Sequence, residues 1–551
     1  MSNDDITPVR QQYLEIKRNH PNEILFFRLG DFYETFDEDA EITARELDIV
    51  LTSRPVGKGV RAPLAGIPYH AVENYLARLI EKGYHVAICE QVGDQPTKGI
   101  FPRKVVRIVT PGTVVEPGLL PGDANNYLAS VFLDEKSAAV AYADITTGEF
   151  AVTELSAEAV RAELTRLRPA EILYPDSLTP SPLSPGERGW GEGLGHLTPL
   201  PAWRFEPGKC EETLLSHFKA GSLDGFGIKG HGLAIRAAGV IVQYLRDTQP
   251  DSLNLLTGLR HYSLSEFMTL DAATRRNLEL TETLRGEVKG SLLSVLDHTV
   301  TPMGKRLMRA WVSQPLLTVD KIRARQDAVQ YFFDNGMVRA ETRAALKPLA
   351  DLERLVNRVI AGQAQPRDLV AMRSTLGQLP KVKEAVGQID NLPHFELSNN
   401  EFSLLQSAID DDPPATLQNT GIIRAGYSAE LDGVIDASKH AREWIANLES
   451  VERERTGLKT LKVGYNKVFG YYIEISRGAA DRAPESYIRK QTLVNAERFI
   501  TPEMKEYETL VLNAEERIRE IELRLFREVC AELSKSAFRL LETARALAEL
   551  D

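Results

Sequence analysis

A change in hydrophobic period along the chain constrains its fold more than any other feature. Up to about residue 176, apolar runs of strand length alternate with amphipathic stretches of helical spacing. From about Ser216 to Leu405 the helical period dominates, with breaks at Pro302, Pro315, Pro366 and Pro393. Strand character returns at Thr460–Ser476, and a last helical stripe starts near Pro502. No single core accommodates this pattern over 551 residues, because cores stop growing near roughly 250–300 residues. The expectation is three to five domains: mixed α/β modules first, then an all-α bundle into which a β-rich module is inserted.

Within the first module, helices are expected at Pro8–His20, near Asp39–Leu47 and at Ala71–Gly83. Strands are expected at Ile24–Gly30, His85–Val92 and Lys104–Thr113. Pro117-Gly118 and Pro121-Gly122 read as a linker. Hairpin strands and a helix at Ser156–Leu167 follow, as a second α/β domain. Ser181–Pro201 is rich in Pro, Gly and Ser and reads as a mobile loop. In the last helix Ile518, Ile521, Leu525, Val529 and Leu533 recur at helical spacing, as in a packed or coiled helix.

Composition excludes some classes. No apolar run is long enough for a transmembrane helix, and the polar start MSNDDITPVR lacks the features of a secretory signal. Cys89, Cys210 and Cys530 are odd in number and far apart, which argues against a disulfide framework or a zinc cluster and suits a reducing cytoplasm. The net charge of −12 is unhelpful for binding a polyanion, but contact with phosphates needs only a local basic patch. Two stretches qualify. Leu51–Arg107 holds nine basic residues against four acids, and Leu458–Phe499 holds eight against four. A solvated face is the plain alternative for each.

Several motifs then carry a resemblance. RLGDFYETF (Arg28–Phe36), AGIPYHAVENYLARL (Ala65–Leu79), AICEQVGD (Ala87–Asp94) and RKVVRIVTPGT (Arg103–Thr113) occur in order. DAATRRNLEL (Asp271–Leu280), TPMGKRLMRAWVSQPL (Thr301–Leu316), LKVGYNKVFGYYIEIS and NAERFITPEMKEYE (Asn495–Glu508) follow. Together they resemble the MutS family, whose members find mispaired bases in DNA. The resemblance spans the chain except Ser181–Pro201. It implies a mismatch-recognition domain at 1–116, a ribonuclease-H-like connector at 117–252 and core and lever helices at 253–425. It further implies a clamp at 426–505 and a returning lever helix at 506–551. DAATRRNLEL would bond domains together rather than touch DNA.

The same resemblance points to Phe32 and Glu34. A mispaired step is cheaper to unstack and kink than a paired one, and an apolar wedge from the minor groove exploits this. Phe32 would supply the flat face and Glu34 a hydrogen bond to the loosened base. A carboxylate is repelled by phosphates, so Glu34 is expected to be partly protonated when bound, as a neutral donor. On periodicity alone Phe32 reads as a core residue and Glu34 as a surface acid. The phosphate-contact candidates are Arg54, Lys58, Arg61, Arg103, Lys104 and Arg107 in the first domain, and Lys462, Asn466, Lys467, Arg489, Lys490 and Asn495 in the clamp. His70 reads as a packed or capping residue rather than a contact.

The family's partners are mismatched or looped duplex DNA, MutL and a second copy, in the bacterial cytoplasm at the nucleoid, with ATP and magnesium as cofactors of the full-length form. No G-x-x-x-x-G-K-[ST] occurs here, and Met303-Gly304-Lys305 lacks the rest of that loop, so no nucleotide or metal site is expected in this chain. The helix ETARALAELD is still in register at Asp551, which leads us to expect that a nucleotide domain normally follows. Without it, hydrolysis and dimerisation are in doubt. Two alternatives remain: a MutL-binding interaction protein without competent repair, and a nuclease built on Asp144, Glu149 and Glu171.

Overall fold

The computed structural model describes residues 7–57, 60–92, 100–178, 195–387, 394–466 and 470–551. It divides into two compact units. One comprises Met1–Ala361, Gln378–Glu396 and Phe538–Asp551, and the other Gly362–Gly377 and Leu397–Ala537.

The first unit opens with α1 (Pro8–Asn19), β1 (Ile24–Leu29), β2 (Phe32–Phe36), α2 (Asp37–Leu47), β3 (Thr52–Gly57), β4 (Val60–Pro68), α3 (Val72–Glu81), β5 (Val86–Gln91) and β6 (Arg103–Val109). The strands form one mixed sheet in the order β3-β4-β2-β1-β5-β6. Alternate residues of β1 point to opposite faces, and both faces are covered. Ile24 and Phe26 pack with Leu76, Leu79 and Ile80, while Leu25 and Phe27 pack with Tyr13 of α1. This explains why ILFFRL reads as a continuous apolar run rather than an alternation.

Three strands of this sheet were not foreseen, β2, β3 and β4. β3 and β4 contain Pro55, Pro63 and Pro68, which remove ladder donors and suppress the strand signal. Pro55 is tolerated because β3 is an edge strand and its register shifts between Pro55 and Gly57, whereas Pro63 and Pro68 lie on the inner strand β4. The strand expected at Lys104–Thr113 ends at Val109. Pro111 starts a 3-10 turn there, closed by reciprocal bonds between Thr110 and Thr113.

The second module contains β7 (Leu128–Leu133), β8 (Ser137–Asp144), β9 (Glu149–Ser156), α4 (Val160–Leu167), β10 (Glu171–Pro175), β11 (His196–Leu200), α5 (Pro207–Phe218), α6 (Gly232–Thr248) and β12 (Arg260–His261). Its sheet order is β11-β10-β7-β8-β9-β12. β7, β8 and β9 pair antiparallel, whereas β10 runs parallel to both β7 and β11. α6 and α5 cover one face and α4 the other. The expected loop Ser181–Pro201 is corrected at its end, because His196–Leu200 is a strand paired along Glu171–Pro175. Residues 179–194 lie outside the described residues.

Helices follow: α7 (Ala272–Asn277), α8 (Leu292–Leu296), α9 (Pro302–Ser313), α10 (Val319–Asp334), α11 (Gly336–Leu346), α12 (Leu352–Ile360) and α13 (Pro366–Val386). Pro302 and Pro366 open helices rather than only interrupting them, since a first-turn N–H has no intrahelical partner to lose. Pro393 lies outside the described residues. α7 packs against α4, and Arg275 donates to the carbonyl of Ser313 at 2.6 Å. Arg306 is buried between Asp351 and Glu353 and also donates to Gly122, while Arg354 donates to Pro121 and Ala124. The Pro-Gly linker is therefore held by two arginines.

In the second unit, α14 (Asn399–Ala408) and α15 (Ala429–Thr456) precede β13 (Lys462–Asn466), β14 (Gly470–Ser476), β15 (Ile488–Thr492) and β16 (Ala496–Ile500), followed by α16 (Pro502–Lys535). The four strands form a sheet in the order β13-β14-β16-β15, flanked in sequence by the two long helices, which pack on each other. Of the expected stripe, Ile521, Leu525, Val529 and Leu533 are buried, while Ile518 is half-buried. α16 breaks at Ser536, and α17 (Ala537–Leu550), which from Phe538 onward belongs to the first unit, ends the described fold. Among the described residues no helix is long and apolar enough to cross a membrane, and all three cysteines are free and buried.

Gly304 has a structural use. The Asp551 carboxylate accepts from the backbone of Val300 and Thr301 and from the Thr301 hydroxyl, at the start of α9. A Cβ at Gly304 would lie 2.2 Å from that carboxylate. The Gly-Lys pair thus faces an anion of the protein itself, favourably placed at a helix N-terminus, and does not fit a phosphate loop. Gly304→Ala is expected to cost about 1–3 kcal/mol by displacing Asp551. Asp551→Ala should cost a similar amount and the double variant little more than either alone, as read by denaturant titration. Simple additivity would reject this coupling.

Candidate nucleic-acid interface

The first sheet places an aromatic ring and a carboxylate on one exposed face. β1 and β2 form a tight hairpin in which Leu29 pairs with Phe32. Gly30, the first residue of its turn, has φ +59°, which a residue with a Cβ adopts only with strain. The turn is braced from outside. Tyr69 N–H donates to the carbonyl of Asp31 at 2.9 Å, and the Arg28 guanidinium lies 3.5 Å from the centre of the Tyr69 ring. Tyr33 points the other way into the core, where burial and the neighbouring Glu90 push its hydroxyl well above its ordinary range.

This pleat leaves Phe32 47% exposed at the hairpin tip. A phenylalanine in that position contributes little to the domain's own core. Phe32 pairs with Pro68 and Glu34 with Gly66 on β4, so ring and carboxylate share one face. Gly66 leaves the space beside both open: a Cβ there would sit 3.8 Å from the Phe32 ring and from Glu34 Cγ. Glu34 is not free. Arg54 on β3 donates to its Oε2 at 2.6 Å, spanning β4 to do so.

The other basic residues divide into two groups. Arg61 is exposed and donates to the hydroxyl and carbonyl of Ser53. Lys104 is exposed on β6, an edge strand. Arg103, by contrast, is a brace: it donates to the carbonyls of Arg28 and Phe101 and to Gln12, and stacks on Phe27. Burial lowers its pKa from the usual guanidinium value. Arg107 pairs with the buried Glu116 at 2.6 Å. His70 is exposed rather than packed. Lys58 and Lys467 lie outside the described residues.

In the four-stranded module Lys462 and Lys490 are exposed on the two outer strands, and Asn495 is exposed in the turn before β16. Asn466 is half-buried at the end of β13. Arg489 pairs with Glu497 at 2.9 Å, and Arg498 with Glu474 at 2.9 Å. Part of the basic excess seen in the sequence is thus neutralised within the sheet.

Asp144 and Glu149 are partners across the β8–β9 hairpin, but each of the acids considered for a nuclease is engaged by other groups of the protein. Asp144 accepts from Thr146, Asn125 and the backbone of Asn126, while Glu149 accepts from Tyr127 and Tyr142. Glu171 is fully buried among Thr110, Gly112, Thr198 and Tyr244. Each carboxylate is occupied by donors of its own fold, and among the described residues no group of three or more His, Cys, Asp or Glu is arranged to hold a metal ion.

Sequence reasoning missed Gly66, Arg28 and Tyr69. All three lie inside the quoted motifs, but their roles arise from contacts across strands, for which local pattern offers no signal.

Fold and site together describe a modular protein, α/β at the front and helical behind, that presents an exposed aromatic beside an acid on one sheet face. Comparison with known proteins agrees in every module. The model for MutS domain I matches residues 7–117, that for MutS domain II residues 126–257, and that for MutS domain III residues 273–551. A relative named DNA mismatch repair protein MutS from Dehalococcoides mccartyi (strain ATCC BAA-2266 / KCTC 15142 / 195) is 46% identical over all of this chain and 64% of its own length. Relatives of the same name from Halothermothrix orenii and Symbiobacterium thermophilum are 45% and 44% identical, with 99% of this chain covered in each case and 62% and 64% of theirs. The chain belongs to the MutS family, and it spans less than two thirds of the length of these curated relatives.

Proposed function

We propose that this chain binds duplex DNA at mispaired or looped steps, with Phe32 entering the stack as a wedge and Glu34 addressing the base it loosens. The observation that carries this reading is the exposure of the Phe32 ring at a braced hairpin tip, beside a carboxylate on the same face. A buried Phe32 would have been incompatible with it. The test is binding of mismatched and matched duplex, at stated salt, by the native chain and by Phe32→Ala.

In this reading residues 1–116 are the mismatch-recognition domain and 117–252 the connector. The connector's strand arrangement supports a ribonuclease-H-like fold, since three antiparallel strands are extended by two parallel ones from the first. Residues 253–425 act as core and lever helices, 426–505 as a clamp and 506–551 as a returning helix. Partners in the cytoplasm would include MutL and a second copy in longer members of the family. ATP and magnesium are not assigned to any residues here.

Phosphate contacts hold the duplex without reading it. Lys462 and Lys490 are the clamp candidates that project from the sheet's outer strands. Replacing both by Gln is expected to weaken matched and mismatched DNA by the same factor. The slope of log affinity against log salt should fall by about two. An unchanged slope would remove these lysines from the interface.

A further inference from the structure

Resting on the reading of Phe32 and Glu34 above, we propose that Arg54 is the counter-ion of Glu34 and sets mismatch discrimination through it, rather than gripping a phosphate itself. The geometry separates these roles. Arg54 was one of several arginines in a basic stretch, with nothing in the sequence to distinguish it from Arg61. In the structure its guanidinium is committed to Glu34 Oε2 at 2.6 Å, whereas Arg61 turns to Ser53. Arg54 pairs with Ala62 on β4 and Glu34 pairs with Gly66 on the same strand. On that face of β4 Leu64 lies between these two positions, and the guanidinium reaches past it to the carboxylate.

Exposure sharpens the point. The Arg54 side chain is 47% exposed and that of Glu34 16%, so the pair sits at the domain surface. A surface pair of this kind adds little to folding. Its effect lies in what it does to an approaching polyanion. Within a Debye length of about 8 Å at physiological salt, an uncompensated carboxylate repels phosphates on either side of the wedge. Arg54 cancels that charge and holds the carboxylate beside Phe32. A proton on Glu34 is then not the only way to admit an acid to the duplex, because a fixed cation on the neighbouring strand serves the same end. Arg54 is a positioning residue in this scheme, acting on the base only through Glu34.

A double-mutant cycle tests this. Mismatched and matched duplexes are titrated at several salt concentrations with the native chain, Arg54→Met, Glu34→Gln, the double variant and Phe32→Ala. Thermal melts confirm that each variant is folded. With Glu34 present, Arg54→Met is expected to weaken mismatch binding about tenfold. With Gln at position 34 there is no charge to compensate, and the same substitution should cost less than twofold. An equal loss in both backgrounds, with the salt slope lower by about one, would make Arg54 an ordinary phosphate contact and overturn the proposal. No loss with Glu34 present overturns it as well. Phe32→Ala keeps the two levels apart. If it abolishes mismatch preference while the cycle is additive, only the counter-ion role fails. If preference survives Phe32→Ala, the wedge reading fails, and the counter-ion role with it.

Discussion

Phe32→Ala is expected to lower affinity for mismatched duplex by one to two orders of magnitude and to change affinity for matched duplex by no more than about twofold. The size follows from what the ring does. Stacking an aromatic side chain on a base is worth about 1–3 kcal/mol by alanine substitution, and that energy is collected only where the base step can open. A matched step resists opening, so the ring contributes little there. Stability should hardly change, because the ring is 47% exposed and makes little of the domain core. This separates Phe32 from its neighbours Tyr33 and Phe36, which are buried and whose truncation would unfold the sheet. Phe32→Trp keeps a flat face and should retain preference. Equal weakening of both duplexes by Phe32→Ala would show that the ring is only another surface contact.

The second large effect is expected inside the first unit. Glu171 is fully buried at the start of β10, and its two oxygens collect groups from several elements. Gly112 N–H donates at 3.0 Å, the Thr198 hydroxyl at 2.7 Å and the Tyr244 hydroxyl at 2.7 Å. The Thr110 hydroxyl also donates, and His85 lies 3.4 Å away. Thr110, Gly112 and His85 belong to the first sheet's surroundings, whereas Thr198 and Tyr244 belong to the second. Glu171 is thus a bolt between the two α/β modules. Glu171→Ala is expected to cost about 3–5 kcal/mol, because it leaves a charged partner and several donors buried without an acceptor.

The same group predicts a pH dependence. Burial pushes the Glu171 carboxyl up, but His85 and the hydroxyl donors outweigh it and hold the group at about 2, below its ordinary 4.5. A depressed carboxyl stabilises the fold above its ordinary range and loses that contribution as pH falls from about 4.5 towards about 2. For His85, burial lowers the pKa and Glu171 raises it, with a net rise. Its contribution is complete at pH values below the ordinary imidazole range and fades as pH climbs through the raised value. The pair is therefore strongest between the carboxyl and imidazole ranges. Denaturant titrations across pH should show a loss of stability on the acid side that is smaller in Glu171→Gln than in the native chain. Parallel curves for the two would dismiss the bolt.

Glu171 also shows why a nuclease reading was tempting and why it fails. In sequence, Asp144, Glu149 and Glu171 are three acids within one α/β stretch. In space each is surrounded by its own donors, and a carboxylate saturated by hydroxyls and amides has no lone pair directed at a metal. Acids that serve folding and acids that serve chemistry look alike until their neighbours are known.

Local signals were legible wherever the physics is local. The apolar run Ile24–Leu29 reads as a strand from its continuity and short length, while the helical spacing of Val72–Glu81 and the stripe from Ile521 to Leu533 follow from a period of 3.6. The family motif around Phe32 was also present in one stretch of chain. Errors came where tertiary pairing overrode propensity. β3 and β4 form in spite of three prolines, of which only Pro55 lies on an edge strand. His196–Leu200 is a strand only because β10 offers it a free edge.

Residue type and order were thus enough to establish the family and to nominate the ring and the acid as candidates. They were not enough to say which charges remain available. Whether an arginine faces solvent, braces a strand or neutralises an acid depends on side chains brought together from distant parts of the chain. Arg103 and Arg54 are equally basic in the sequence. Only strand pairing turns one inward against Phe27 and leads the other across β4 to Glu34. The reason is physical: the period of a strand is set within a few residues, but the partner of a charge is set by register, which is a property of the whole sheet.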